Sequence, residues 1–212
     1  MGENLEALPE DKRQKILTAS ITEFAEHGYL GASTNRIVAA AGISKGLLFH
    51  YFGNKKKLFL YVLDYTISHL MEKMSQYTAP LTGDFFDTLG EYTLIKMRVG
   101  IEEPEMYHIL YDVYVNLPAE IKEDLMARYG QILGDQRKAF IMTLDPEKLR
   151  EGVTRETAAT LIIDFLDGYY QRSLDDYKTK TPDELLESMD DMKNDIMQYL
   201  NIIKRGIYKD GL

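Results

Sequence analysis

Five glycines crowd the short stretch between positions 28 and 53: Gly28, Gly31, Gly42, Gly46 and Gly53. Glycine ends helices because it accepts a left-handed turn at low steric cost. This stretch therefore predicts short helices and tight turns. Six prolines, Pro9, Pro80, Pro104, Pro118, Pro146 and Pro182, each stand beside a break in the apolar pattern. Proline suits a first helical turn and damages a helix interior. No Asn-Gly or Asp-Gly turn separates alternating apolar runs, so hairpin signals are missing. The punctuation predicts an all-α chain, with short helices in front and long ones behind.

The front helices follow from their apolar faces and caps. Ile16, Leu17, Ser20, Ile21, Phe24 and Ala25 share one face of a helix over about 10–26, closed by His27-Gly28. Ser33 or Thr34 caps a second helix over 35–41, with Ile37, Val38 and Ala41 inward and Gly42 as its stop. Ser44 caps a third over 45–52, and Asn54 a fourth from 55 to about 77. Three helices containing a helix-turn-helix, then a long connector, account for these lengths. The composition shift after Gly53 divides the chain into an N-terminal domain, 1–54, and a helical domain, 55–212. Further helices read as 83–101, 105–116, 119–144, 154–178 and 182–208, a bundle in outline.

Charge is distributed unevenly. The chain carries a net −9, yet residues 11–57 hold eight Lys or Arg against three acids, a local +5. Surface charges are screened beyond about 8–10 Å at physiological salt. A basic end can thus meet phosphate while the acidic remainder points elsewhere. Cysteine is absent, which excludes disulfides and thiolate chemistry. No apolar run is long enough to span a membrane. The start, Met1-Gly2-Glu3-Asn4-Leu5-Glu6, has neither a signal peptide's apolar run nor a myristoylation pattern. A cytoplasmic protein with no membrane partner is expected.

The run Ala39-Ala40-Ala41-Gly42-Ile43-Ser44-Lys45-Gly46-Leu47-Leu48-Phe49-His50-Tyr51-Phe52-Gly53-Asn54-Lys55-Lys56-Lys57-Leu58-Phe59 resembles the TetR/AcrR family of transcriptional regulators. So do Ile16 through Phe24, the Gly28-Tyr29 pair, and Thr34 with Ile37. The likeness spans roughly residues 12–62. It implies a homodimer on double-stranded DNA, reading a palindromic operator and most often repressing, with a small-molecule effector and no cofactor. A helix-turn-helix lays its second helix in the major groove, N-terminal side chains at the base edges. By matched position Lys45, Gly46 and Leu47 approach the bases. Lysine can donate to guanine and leucine can meet a thymine methyl. Thr34, Arg36, Ser44, His50, Tyr51 and Lys55 are expected at the sugar-phosphate backbone. The family often has tyrosine where Phe49 stands, which removes one hydroxyl. Leu47 offers no hydrogen bond, which leaves part of the readout to DNA shape.

Behind the head, two stripes recur at helical spacing. Ile162, Phe165 and Tyr169, and then Met189, Met192, Ile196, Tyr199 and Ile203, are assigned to a dimer interface, as in the family's intersubunit bundle. The middle helices are rich in aromatics and Met, and Tyr92, Tyr107, Tyr111, Tyr129 and Phe165 are candidate effector contacts. Glu105-Met106-Tyr107-His108 is a single E-x-x-H element. Di-iron bundles need two of these plus two more glutamates, so no metal and no enzyme is expected. A helical dimer that binds another protein is the other alternative; it predicts no salt-sensitive DNA binding.

Overall fold

The computed structural model describes residues 8–77, 84–116 and 118–209. The hexapeptide at the start, Pro80 and the expected helix start at position 83 lie outside them. The described residues form α1 (Glu10–Gly31), α2 (Thr34–Ala41), α3 (Lys45–Phe52), α4 (Lys55–Tyr77), α5 (Phe85–Glu102), α6 (Pro104–Val115), α7 (Ala119–Thr143), a 3-10 turn (Pro146–Lys148), α8 (Arg155–Thr179), α9 (Pro182–Glu187) and α10 (Met189–Ile207). The fold is all-α, with one isolated antiparallel bridge between Leu149 and Tyr208 among the described residues.

Two helices depart from their expected bounds. The first continues past Glu26, but through a break at Gly28, where φ is 61° and ψ 176°. Only glycine adopts that conformation without strain. The chain then makes one more turn, closed by the Ala32 amide on the Gly28 carbonyl at 3.1 Å. The segment expected as one helix over 182–208 is two, α9 and α10, parted at Ser188 (φ −83°, ψ 1°). A capping box between Thr181 and Glu184 starts α9.

Packing divides the chain into two compact units, Met1–Gln76 with Glu103–Asp124, and Tyr77–Glu102 with Leu125–Leu212. The expected domain boundary at 54/55 falls inside the first unit.

The first unit is built on the predicted apolar faces. Ile16, Leu17, Ile21 and Phe24 of α1, Ile37 of α2, Leu48 and Phe52 of α3, and Leu58, Phe59, Val62 and Leu63 of α4 are all buried. The Phe24 and Phe59 rings meet edge to face, centroids 4.8 Å apart, and Tyr29 packs on Phe59 at 5.0 Å. α6 packs against α1 and adds buried Ile109.

In the second unit α5 and α10 approach closely at Gly90. A side chain there would run into the Met197 sulfur. Phe86, Leu89, Ile162 and Leu200 share one apolar cluster; Met97, Ile101, Tyr169, Met192 and Ile196 share another. This corrects part of the assigned dimer interface. Ile162 and Ile196 are fully buried, and Tyr169 and Met192 nearly so, within the two apolar clusters of the unit, where α5 packs on α10. They are core residues of their own chain. Phe165, Met189 and Ile203 are half-buried, and Tyr199 is exposed.

Candidate nucleic-acid interface

The turn between α2 and α3 is set by Gly42, left-handed at φ 64° and ψ 36°. The Ile43 amide returns to the Val38 carbonyl at 3.1 Å, which closes α2. Ser44 then caps α3, its Oγ accepting from the Leu47 amide at 3.2 Å. Leu48 and Phe52 anchor α3 in the core. The opposite face carries exposed Ser44, Lys45, Gly46 and His50, with Leu47 and Tyr51 half-buried. The Lys45 ammonium lies 5.8 Å from the Phe49 ring centroid, folded back along the helix. The His50 and Tyr51 rings meet edge-on at 5.1 Å. A methyl group at Gly46 would meet only Ser44 Oγ, at 4.0 Å. Internal packing therefore does not demand glycine there. Thr34, half-buried, opens α2.

Arg36 and Lys55 do something other than expected. Arg36 was assigned to phosphate, but its Nε donates to both Glu23 carboxylate oxygens at 3.0 and 2.9 Å. Its Nη2 donates to Glu23 Oε1 at 2.6 Å and to the Gly31 carbonyl at 2.9 Å. Lys55 was given the same role, yet its Nζ donates to the carbonyls of Tyr29 at 2.8 Å, Leu30 at 3.3 Å and Ala32 at 3.3 Å. The same ammonium stands 4.7 Å from the Tyr29 ring centroid. An ammonium has three donors, and here all three serve the chain's own backbone. Both cations hold the turn after the Gly28 break, Lys55 half-buried and Arg36 with about half of its side chain still open to solvent.

Glu23 is the residue that sequence reasoning missed. It is 6% exposed and is the one buried charged side chain among the described residues. Burial pushes its pKa up, but the hydrogen bonds from Arg36 and from the Ser33 amide, together with the Arg36 charge, outweigh that and hold it below the usual carboxylate range. The signal was available: Glu23 sits within the apolar face that runs from Ile16 to Phe24. A carboxylate there needs a partner.

The same unit carries a second polar seam. Tyr29 donates its hydroxyl to Glu120 at 2.8 Å, Thr22 to Glu105 at 3.2 Å, and Lys56 to Asp124 at 2.8 Å. Burial first, and the Glu120 contact second, push the Tyr29 phenol up. Glu103, the N-cap residue of α6, lies 3.1 Å from His69 and 3.0 Å from Lys73 of α4. Glu105 of the E-x-x-H element is thus bonded to Thr22, and no group of three metal-ligating side chains occurs among the described residues. The effector candidates are scattered. Tyr107 and Tyr111 are half-buried in the first unit; Tyr129, half-buried, and Tyr92, exposed, belong to the second. Phe165 packs on Tyr199 at 5.6 Å. No helix among the described residues is long and apolar enough to cross a membrane.

A short α2, a glycine turn and a capped α3 with a lysine at its exposed start define a helix-turn-helix DNA-binding protein. Comparison with known proteins narrows the class. Residues 16–62 match the family described as "Bacterial regulatory proteins, tetR family". Over 185 residues the chain is 29% identical to the HTH-type transcriptional repressor AcnR of Corynebacterium glutamicum, covering 84% of this chain and 90% of that one. Over 56 residues it is 45% identical to the HTH-type transcriptional repressor SCO4008 of Streptomyces coelicolor, covering 26% and 29%. The crystal structure of a TetR family transcriptional regulator from Chloroflexus aurantiacus superposes with a TM-score of 0.72 at 26% identity, covering 98% of both chains. The head thus matches the TetR family over residues 16–62, and the relatives and the solved structure support a TetR-type DNA-binding transcriptional regulator.

Proposed function

We propose that the protein is a homodimeric repressor that places α3 of each subunit in the major groove of a two-fold operator and responds to a small effector in its helical body. The observation that carries this reading is the exposed start of α3, where Lys45 faces solvent and internal packing does not demand glycine at position 46. Residues 1–54 form the reading head and 55–212 the effector and dimerisation domain. Lys45, Gly46 and Leu47 face base edges. Thr34, Ser44, His50 and Tyr51 lie along the sugar-phosphate backbone. Lys55 is left out of the contact set because its donors serve backbone carbonyls, and Arg36 because Glu23 and the Gly31 carbonyl hold its Nε and Nη2.

Two half-sites about 34–36 Å apart need two heads. The pairing surface we assign is the flank of α8 and α10 that carries Leu161, 48% exposed, Tyr199, 41%, and Ile202, 60%, with half-buried Phe165 between. Exposed apolar side chains gathered on one face mark an association surface. Tyr92, Tyr107, Tyr111, Tyr129 and Phe165 remain the candidate effector contacts, the tyrosines polar at one end and apolar at the other, Phe165 apolar throughout. An effector that shifts the heads from 1:99 to 99:1 needs a difference of about 5.5 kcal/mol between the two states.

Selection of binding sites from random duplex DNA, followed by salt titration on the best site, tests this reading. A two-fold symmetric site whose affinity falls steeply with salt is the expected outcome. Lys45→Ala should then cost about 1–3 kcal/mol and relax base preference at one position of each half-site. Enrichment of no sequence by the folded dimer, with and without extraction of small molecules, would refute the assignment.

A further inference from the structure

The geometry points to Glu23 as a positioning residue for DNA reading: from the buried face of α1 it fixes the first turn of α2, and through the α2–α3 hairpin the aim of the recognition helix. The inference rests on the DNA-binding role stated above.

A buried carboxylate is costly, and an ion pair that offsets the cost adds little stability compared with well-packed apolar side chains. What such a pair supplies is fixed geometry. Here the geometry is specific. Glu23 Oε1 accepts from the Ser33 amide at 2.6 Å. Ser33 is the N-cap residue of α2, yet its own side chain caps nothing. The carboxylate from α1 is therefore what meets the start of α2, where the helix dipole favours a negative group. It also grips Arg36, in the first turn of α2, through both Nε and Nη2. A guanidinium held by two nitrogens cannot swivel as an ammonium can. Arg36 carries the grip on to the Gly31 carbonyl, one turn earlier in the chain.

The opposite side of that turn is held by Lys55 from α4, on the carbonyls of Tyr29, Leu30 and Ala32. The entry to α2 is thus clamped from two helices. α2 is eight residues long, and Ser44 follows two residues after Gly42 ends it. α2 is thus about 12 Å long, at 1.5 Å per residue, and joins the clamped turn to the Gly42 turn before α3. Small rotations at Arg36 become displacements at the base edges. Thr22, the neighbour of Glu23 on α1, is bonded to Glu105 of α6 at 3.2 Å, so the clamp adjoins the contact by which α6 meets the head.

The test compares Glu23→Gln and Arg36→Lys with the parent on two duplexes of equal length: the operator selected for the parent, and a random sequence. Concentrations are normalised to active protein by stoichiometric titration, and folding is checked by circular dichroism. Charge alone argues that Glu23→Gln should bind both duplexes more tightly, since a negative group leaves the head. Positioning predicts the reverse. The preference for operator over random duplex should fall about tenfold or more in both variants, as the aim of the recognition helix at the base edges is lost, while the salt dependence keeps its slope. Arg36→Lys retains the charge, so a phosphate role would leave its preference intact. An unchanged or raised preference in Glu23→Gln overturns the inference, as does an equal loss on both duplexes. If Glu23→Gln does not fold, Arg36→Lys decides alone by the same criterion. Failure of the parent to prefer any sequence sinks the DNA-binding reading instead.

Discussion

The turn between α1 and α2 and the core shared by α5, α8 and α10 are held by opposite means. In the turn, two cations and a buried carboxylate grip backbone carbonyls and an amide. In the core, Phe86, Leu89, Ile162, Ile196 and Leu200 pack with scarcely a polar atom among them. Apolar burial is non-directional and tolerates small shifts, whereas charge-assisted hydrogen bonds fix angles as well as distances. The chain uses the second kind where a few degrees matter at the base edges, and the first kind where bulk cohesion suffices.

The contrast is exposed to test at several strengths. Ile196→Ala should produce the largest loss, about 2–5 kcal/mol. Urea unfolding should give the same loss at neutral and mildly acidic pH and at low and high salt. Strong salt dependence of that loss would blur the distinction. Lys55→Met should cost less, about 1–2 kcal/mol for the lost carbonyl contacts, and hydrogen exchange should place the loosening at residues 29–32. The slope of DNA affinity against salt should stay as it was; a slope shallower by about one would return Lys55 to the phosphates.

Acid should find the polar clamp before it finds the core. The Glu23 pKa is lower folded than unfolded, so its contribution is present above the unfolded value of about 4.3 and is lost as pH falls through the folded value. The stability gap between parent and Glu23→Gln should therefore be full at neutral pH and close in acid, as followed by thermal melting across pH. Glu103, where burial raises the pKa but Lys73 and His69 more than offset it, changes in the same direction. Gly46→Ala gives the smallest effect on stability and the most telling one. Alanine should stabilise α3 by about 0.5–1 kcal/mol, since the methyl meets nothing closer than 4.0 Å. Operator affinity should nevertheless fall, because the added methyl would keep the start of α3 away from the base edges.

Sequence pattern revealed some of this and hid the rest for a physical reason. Gly42, the Ser44 cap and the buried Leu48 and Phe52 were legible because caps and apolar spacing are local properties. The all-α class followed from the same signals. The internal partners of Arg36 and Lys55 are not legible in the sequence, because a cation's partner is decided by tertiary geometry. Spacing shows that a guanidinium is present, not that a carboxylate thirteen residues earlier waits for it. Ile162 and Ile196 were placed on a subunit interface for a similar reason. An apolar stripe states that a helix face is covered, and nothing local tells whether the cover is α5 or a second chain. Leu161 and Ile202 lay outside the stripe by spacing, and they are the apolar residues that solvent reaches.

The interleaving of the two units has a consequence for how the protein is made. The first unit uses residues 103–124 as well as 1–76, so its segments are separated by a stretch that belongs to the second. During synthesis the helix-turn-helix leaves the ribosome early, but Glu120, which accepts from Tyr29, and Asp124, which pairs with Lys56, emerge long afterwards. A nascent chain ending anywhere before them holds a head whose outer hydrogen bonds are unmade. A nascent chain that ends before residue 120 thus carries the head without either of these two braces.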